Sequence, residues 1–112
     1  MAVPATQNLT ITRGDTEVVV ITINDNAGVP LNITGRTYRA QIRATKDSSV
    51  VSAAFVCVVT NAAAGEVTCT LTAGNASTLA VGKQYWDFEE NYSGIITTIL
   101  AGTVTVLADV SR

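Results

Sequence analysis

The stretch Glu66-Val67-Thr68-Cys69-Thr70-Leu71-Thr72 decides the fold class. Its side chains alternate apolar and polar at every step, the period of a strand with one buried face. Val67, Cys69 and Leu71 point inward on this reading, and Glu66, Thr68, Thr70 and Thr72 point outward. Upstream, Asn61-Ala62-Ala63-Ala64-Gly65 reads as a turn, and Val51 to Thr60 as the other arm of a hairpin. If Thr60 pairs with Glu66, then Cys57 falls opposite Cys69, and Phe55, Cys57 and Val59 share the inward face.

The same grammar extends in both directions. Arg36 to Ala44 alternates, with Tyr38, Ala40, Ile42 and Ala44 toward the core and Thr37, Arg39, Gln41 and Arg43 away from it. Thr45 to Ser49 is a polar loop. Thr16 to Asn24 reads as a strong strand, closed by the turn Asp25-Asn26-Ala27-Gly28. Leu9 to Arg13 is a short first strand before the turn Arg13-Gly14-Asp15. Leu31 to Thr34 connects, and Gly35 ends it. Downstream, Ala73 to Val81 supports one helical turn that crosses between sheets. Lys83 to Tyr92 is an aromatic strand with Tyr85, Trp86 and Phe88, followed by the turn Asn91-Tyr92-Ser93-Gly94. Ile95 to Val110 is a long last strand or a broken pair, with Gly102 marking a bulge or close packing. Short strands at regular spacing with turn signals between them indicate an all-β antiparallel sandwich of about seven strands. Residues 1–8 read as an extended N-terminal arm and 9–112 as a single domain.

Composition agrees. The chain has 112 residues, the size of one domain with a real core. Hydrophobic residues make up 47% and charged residues 14%, and the abundance of Val, Ile and Thr favours strands. So few charges on a β-rich surface favour association. The net charge is −2, with no basic cluster beyond Arg36, Arg39 and Arg43, which argues against nucleic acid as a partner. No leader-like start and no apolar run long enough to span a membrane are present, so assembly in a cytoplasm is expected.

The chemistry-bearing residues are few. There is no His, which removes Ser-His-Asp and Cys-His catalysis and most zinc sites. Two cysteines alone cannot hold a four-ligand metal, and no cofactor is expected. Cys57 and Cys69 are read as reduced core residues, with a cross-strand disulfide as the alternative. Asp87, Glu89 and Glu90 are the closest approach to a carboxylate set. A solvated strand face explains them without a cleft, and a weak cation site is the alternative. Arg13-Gly14-Asp15 matches an integrin-recognition tripeptide but is also ordinary turn chemistry. Four sequons, at Asn8, Asn32, Asn75 and Asn91, matter only in a secreted eukaryotic protein. No glycine-rich loop precedes a helix, so no phosphate cradle is expected. Tyr85, Trp86 and Tyr92 offer a sugar platform, although two of the three are expected in the core.

The order of the pieces carries a resemblance. Ile11-Thr12-Arg13-Gly14-Asp15-Thr16 is followed by a β run, the Asp-Asn-Ala-Gly turn and Leu31-Asn32-Ile33-Thr34-Gly35. Then come Tyr38-Arg39-Ala40-Gln41-Ile42-Arg43, Ala63-Ala64-Gly65, Tyr85-Trp86-Asp87-Phe88, Gly102-Thr103-Val104-Thr105-Val106 and Asp109-Val110-Ser111-Arg112. Over nearly its whole length the chain resembles small phage structural domains related to the N-terminal domain of phage upper baseplate proteins. The resemblance implies an immunoglobulin-like β-sandwich in a tailed-phage virion, assembled in the host bacterial cytoplasm. There it would join tail, baseplate, fibre or capsid proteins in a symmetric assembly. A tail or baseplate adaptor is the first expectation, and a capsid decoration protein or a carbohydrate-binding module the alternatives. No enzymatic activity and no membrane contact are expected. The expected interface residues are Val3 and Pro4 in the arm and Arg39, Arg43, Asp87 and Glu89 on the strands.

Overall fold

The computed structural model describes residues 5–25 and 27–110. Val3 and Pro4, expected in the arm, lie outside the described residues. The strands are β1 (Ala5–Thr6), β2 (Leu9–Thr12), β3 (Glu17–Thr22), β4 (Thr37–Arg43), β5 (Ala53–Asn61), β6 (Glu66–Leu71), β7 (Gly82–Tyr92) and β8 (Ile95–Leu107). They form one curled sheet in the order β1-β8-β7-β4-β5-β6-β3, with β2 also on β8. β1 and β2 run end to end along β8, so eight strands fill seven positions.

The curl comes from β5. Its first residues, Ala53 to Phe55, pair with β4, and from Val56 onward it pairs with β6. One strand thus belongs to both layers, and the layers close face to face. The alternation read from the sequence supplies the filling. Ala40 and Ile42 from β4, Phe55 from β5, Val67, Cys69 and Leu71 from β6, Trp86 and Phe88 from β7, and Val104 and Val106 from β8 are all buried. Ile11, Ile21, Ile23, Ile33, Ala53, Ala76 and Leu79 belong to the same core. The fold is all-β, as the alternation indicates, and immunoglobulin-like, as the resemblance implies.

The hairpin of β5 and β6 has Cys57 opposite Cys69, the expected register. The end differs, because Asn61 rather than Thr60 faces Glu66 and Thr60 is the extra residue of a bulge. The turn forces this: Gly65 adopts φ 68° and packs against the Ile23 and Leu31 carbonyls. A Cβ there would lie 2.5 Å from the Ile23 oxygen, so only glycine fits.

The single helical turn is α1 (Ala73–Ala76), capped by the Thr72 hydroxyl, which accepts from the Asn75 N–H at 3.2 Å. It buries Ala76 and carries the chain from β6 to β7. The last strand is continuous, and its bulge lies opposite the Phe88–Glu89 step, not at Gly102.

Two expectations need correction at the N-terminus. The sheet is not wholly antiparallel, since β1 and β2 run parallel to β8. Nor do residues 5–8 stand free as an arm. Gln7 N–H donates to the Ala101 carbonyl at 3.1 Å, and Asn8 Oδ1 accepts from Thr103 N–H at 3.1 Å. The Gln7 carbonyl accepts from the Trp86 indole N–H at 2.7 Å. Gly102 makes this possible, because a Cβ on it would lie 2.2 Å from that carbonyl oxygen. The buried indole N–H needs a partner, and the N-terminal backbone supplies it.

Candidate functional site

β4 and β7 pair side by side, with Arg39 opposite Glu89, Gln41 opposite Asp87 and Arg43 opposite Tyr85. Arg39, Arg43, Asp87 and Glu89 therefore lie on one outward face, and the structure brings these four expected residues together. Arg39 Nε donates to Glu89 Oε1 at 3.0 Å, and this bond holds the guanidinium above its ordinary pKa. Arg43 makes its hydrogen bonds elsewhere, while its charge still acts on Asp87. Its Nη1 donates to the Ser48 carbonyl at 2.7 Å and its Nη2 to Gln41 Oε1 at 3.1 Å. Burial, and then the neighbouring Glu89 charge, raise the Asp87 pKa above the usual aspartate range.

Glu90 leaves this group. Strand alternation turns it inward, where it is buried. There it accepts from Tyr38 Oη at 2.7 Å and Arg36 Nη1 at 3.2 Å. Burial, and then the bond to Glu90, push the Tyr38 phenol well above its ordinary pKa. Tyr38 stacks on Phe88 at 5.2 Å, and Arg36 lies 4.2 Å over the Tyr92 ring. This network closes one end of the core and was not foreseen. The sequence carries only the inward parity of Tyr38 and Glu90 on their own strands; the pairing that sets them side by side comes from the fold.

The face holds only shallow relief. The depression beside Arg39 and Glu89 measures ≈ 220 Å³ and that beside Asp87 ≈ 70 Å³, against roughly 300–1,000 Å³ for small-molecule sites. Among the described residues, no group of three or more His, Cys, Asp or Glu is placed to hold a metal. Among the same residues, no helix is long and apolar enough to cross a membrane.

The three aromatics do not form one platform. Trp86 is buried, whereas Tyr92 is exposed and Tyr85 only partly covered. One of the three is in the core, not two. Tyr85 and Tyr92 stand about 23 Å apart by strand rise. In the Arg13-Gly14-Asp15 turn, Arg13 Nε is bonded to Asp109 Oδ1 at 3.0 Å, which ties the arginine to the domain's own C-terminal segment.

A second face was missed. On the outside of β3, β6 and β5, Val18 and Val56 flank Thr70, and Val20 and Val58 flank Thr68. These valines are exposed to 53%, 55%, 59% and 53% in that order. The signal lay in Val18-Val19-Val20-Ile21 and Val56-Cys57-Val58-Val59, where apolar residues fill both strand parities. Strands covered on both sides read this way.

No family model matches the chain, and no curated protein matches it in sequence. Among solved structures, the chain is similar to the N-terminal domain of ORF48 of phage TP901-1. That match has 17% identity and a TM-score of 0.60, covering 93% of this chain and 89% of that one. The chain shares that domain's fold. Weaker likenesses are to the Lin-41 filamin domain and to a structure from work on VGSC beta subunits. The first has 16% identity, TM-score 0.49, and covers 87% of this chain and 81% of that one. The second has 7% identity, TM-score 0.47, and covers 97% and 96%.

Proposed function

We propose that the chain is a non-enzymatic structural protein of a tailed-phage virion, seated in the tail or baseplate as an adaptor between neighbouring virion proteins. The observation that carries this reading is the fold shared with a phage domain over almost the whole of both chains. The ordered motifs in the sequence point to the same kind of domain independently. The surface supports docking rather than chemistry. It has no deep cleft on the β4–β7 face, and it has two unlike faces on opposite layers.

An adaptor needs two unlike faces. The valine and threonine face of β3, β6 and β5 suits an apolar partner surface, since burying valines there removes water at about 25 cal/mol per Å². The Arg39, Arg43, Asp87 and Glu89 face suits a polar partner and sets orientation more than affinity. Any arm that reaches a neighbour is confined to residues before Ala5, Val3 and Pro4 among them, because residues 5–8 are bonded to β8. Symmetric copies around a tail axis fit a chain with so little charge.

The test is location. Gold-labelled antibody against the protein, applied to intact virions, should mark the tail tip. Mass spectrometry of the particles should count at most a few dozen copies. Label over the head, with copies in the hundreds, would replace this reading with capsid decoration.

A further inference from the structure

Cys57 and Cys69 face each other across the β5–β6 hairpin, with their sulfurs 3.1 Å apart. Both are free thiols. Directly opposed residues in an antiparallel pair lie within the Cα separation that a disulfide spans. We propose that this pair is an oxidative modification site, which a hydroperoxide converts to a reversible disulfide locking the hairpin.

The two sulfurs are unequal. Cys69 is fully buried on the core face, whereas Cys57 is partly exposed. β5 leaves β4 just before Cys57, at the switch between layers, and the Ala40 backbone there hydrogen-bonds the Cys57 sulfur. The bond from Cys69, with the Ala40 bond adding to it, lowers the Cys57 pKa despite burial. The bond to Cys57, and then burial, raise that of Cys69. Because solvent reaches Cys57 and not Cys69, Cys57 is the attacking thiolate and Cys69 the resolving thiol.

The chemistry balances in two steps. The Cys57 thiolate attacks one oxygen of the hydroperoxide and breaks the O–O bond. This gives the Cys57 sulfenic acid, and the alkoxide takes up a proton and leaves as the alcohol. The Cys69 sulfur then attacks the Cys57 sulfur, and the expelled hydroxide leaves as water with the Cys69 proton. Two electrons pass from the sulfurs to the peroxide. A dithiol reductant reverses the bond by exchange. The pair stays open in a reducing compartment and closes in an oxidising one. That this happens after release from a host cell rests on the proposed virion role; the chemistry does not.

The experiment treats the purified chain with hydrogen peroxide, unfolds it without reductant and alkylates it. The expected product is lighter by two hydrogens, takes up no alkylating reagent, and regains both thiols with dithiothreitol. It should also melt at a higher temperature than the reduced protein, because the bond restricts the unfolded chain. In Cys69→Ala, peroxide should leave a Cys57 sulfenic acid that a cyclic dione traps. Two alkylatable thiols after peroxide, or oxygen adducts on Cys57 with Cys69 still alkylatable, would overturn the proposal. The mass measurement on the unaltered chain decides even where a variant fails to fold.

Discussion

At the scale of single residues, the most constrained position is Gly102, where the Gln7 carbonyl passes over the strand to reach Trp86. Gly102→Ala must push that carbonyl away and leave the indole N–H unpaired. The expected cost is about 1–3 kcal/mol of stability, read from urea unfolding, with a shift in Trp86 emission. An unchanged midpoint and spectrum would contradict it. Tyr38→Phe removes the phenol's bond to buried Glu90 and should cost about 1–3 kcal/mol by the same measurement. Asp87 gives a pH prediction. Its folded pKa is raised, so the folded state binds the proton more tightly than the unfolded chain. Stability from this group is therefore fullest below the ordinary aspartate pKa and is lost as pH rises through the raised value. Asp87→Asn should flatten that fall and raise the unfolding midpoint at neutral pH relative to acid. A steeper fall in the variant would reverse the sign.

At the scale of elements, alternation made β4 and β6 legible because one face of each is buried and the other is not. The Cys57–Cys69 register was expected from a Thr60–Glu66 pairing, and it holds although Asn61 takes the place opposite Glu66. The Thr60 bulge was not legible, because it depends on how Gly65 packs against the backbone of Ile23 and Leu31, far away in sequence. The direction of β1 and β2 was also illegible. Leu9-Thr10-Ile11-Thr12 alternates identically in a parallel or an antiparallel ladder. Alternation alone turned Arg39 and Arg43 outward on one strand and put Asp87 and Glu89 on one face of another, whereas the side-by-side pairing of β4 with β7 that gathers the four was not legible. The valine face was legible in principle, because Val18 to Ile21 and Val56 to Val59 place apolar residues on both strand parities. Deleting residues 2–7 tests the N-terminal strands. It removes β1 and the carbonyl that Trp86 binds, so the unfolding midpoint should fall. A midpoint equal to that of the full chain would mean that this segment contributes nothing to the fold.

At the scale of the whole molecule, the curled sheet presents two outer faces of unlike chemistry. Val20→Lys and Val58→Lys sit at exposed positions, so stability should change by about 0.5 kcal/mol or less. Their effect should appear in assembly, as reduced incorporation into particles built with the variant. Normal incorporation would remove that face from the account. The central claim is that the domain is a tail or baseplate part, and immunogold labelling of intact virions with a copy count tests it most directly. Label is expected at the tail tip, with at most a few dozen copies. Label spread over the head in hundreds of copies, or no label on the virion, would contradict it.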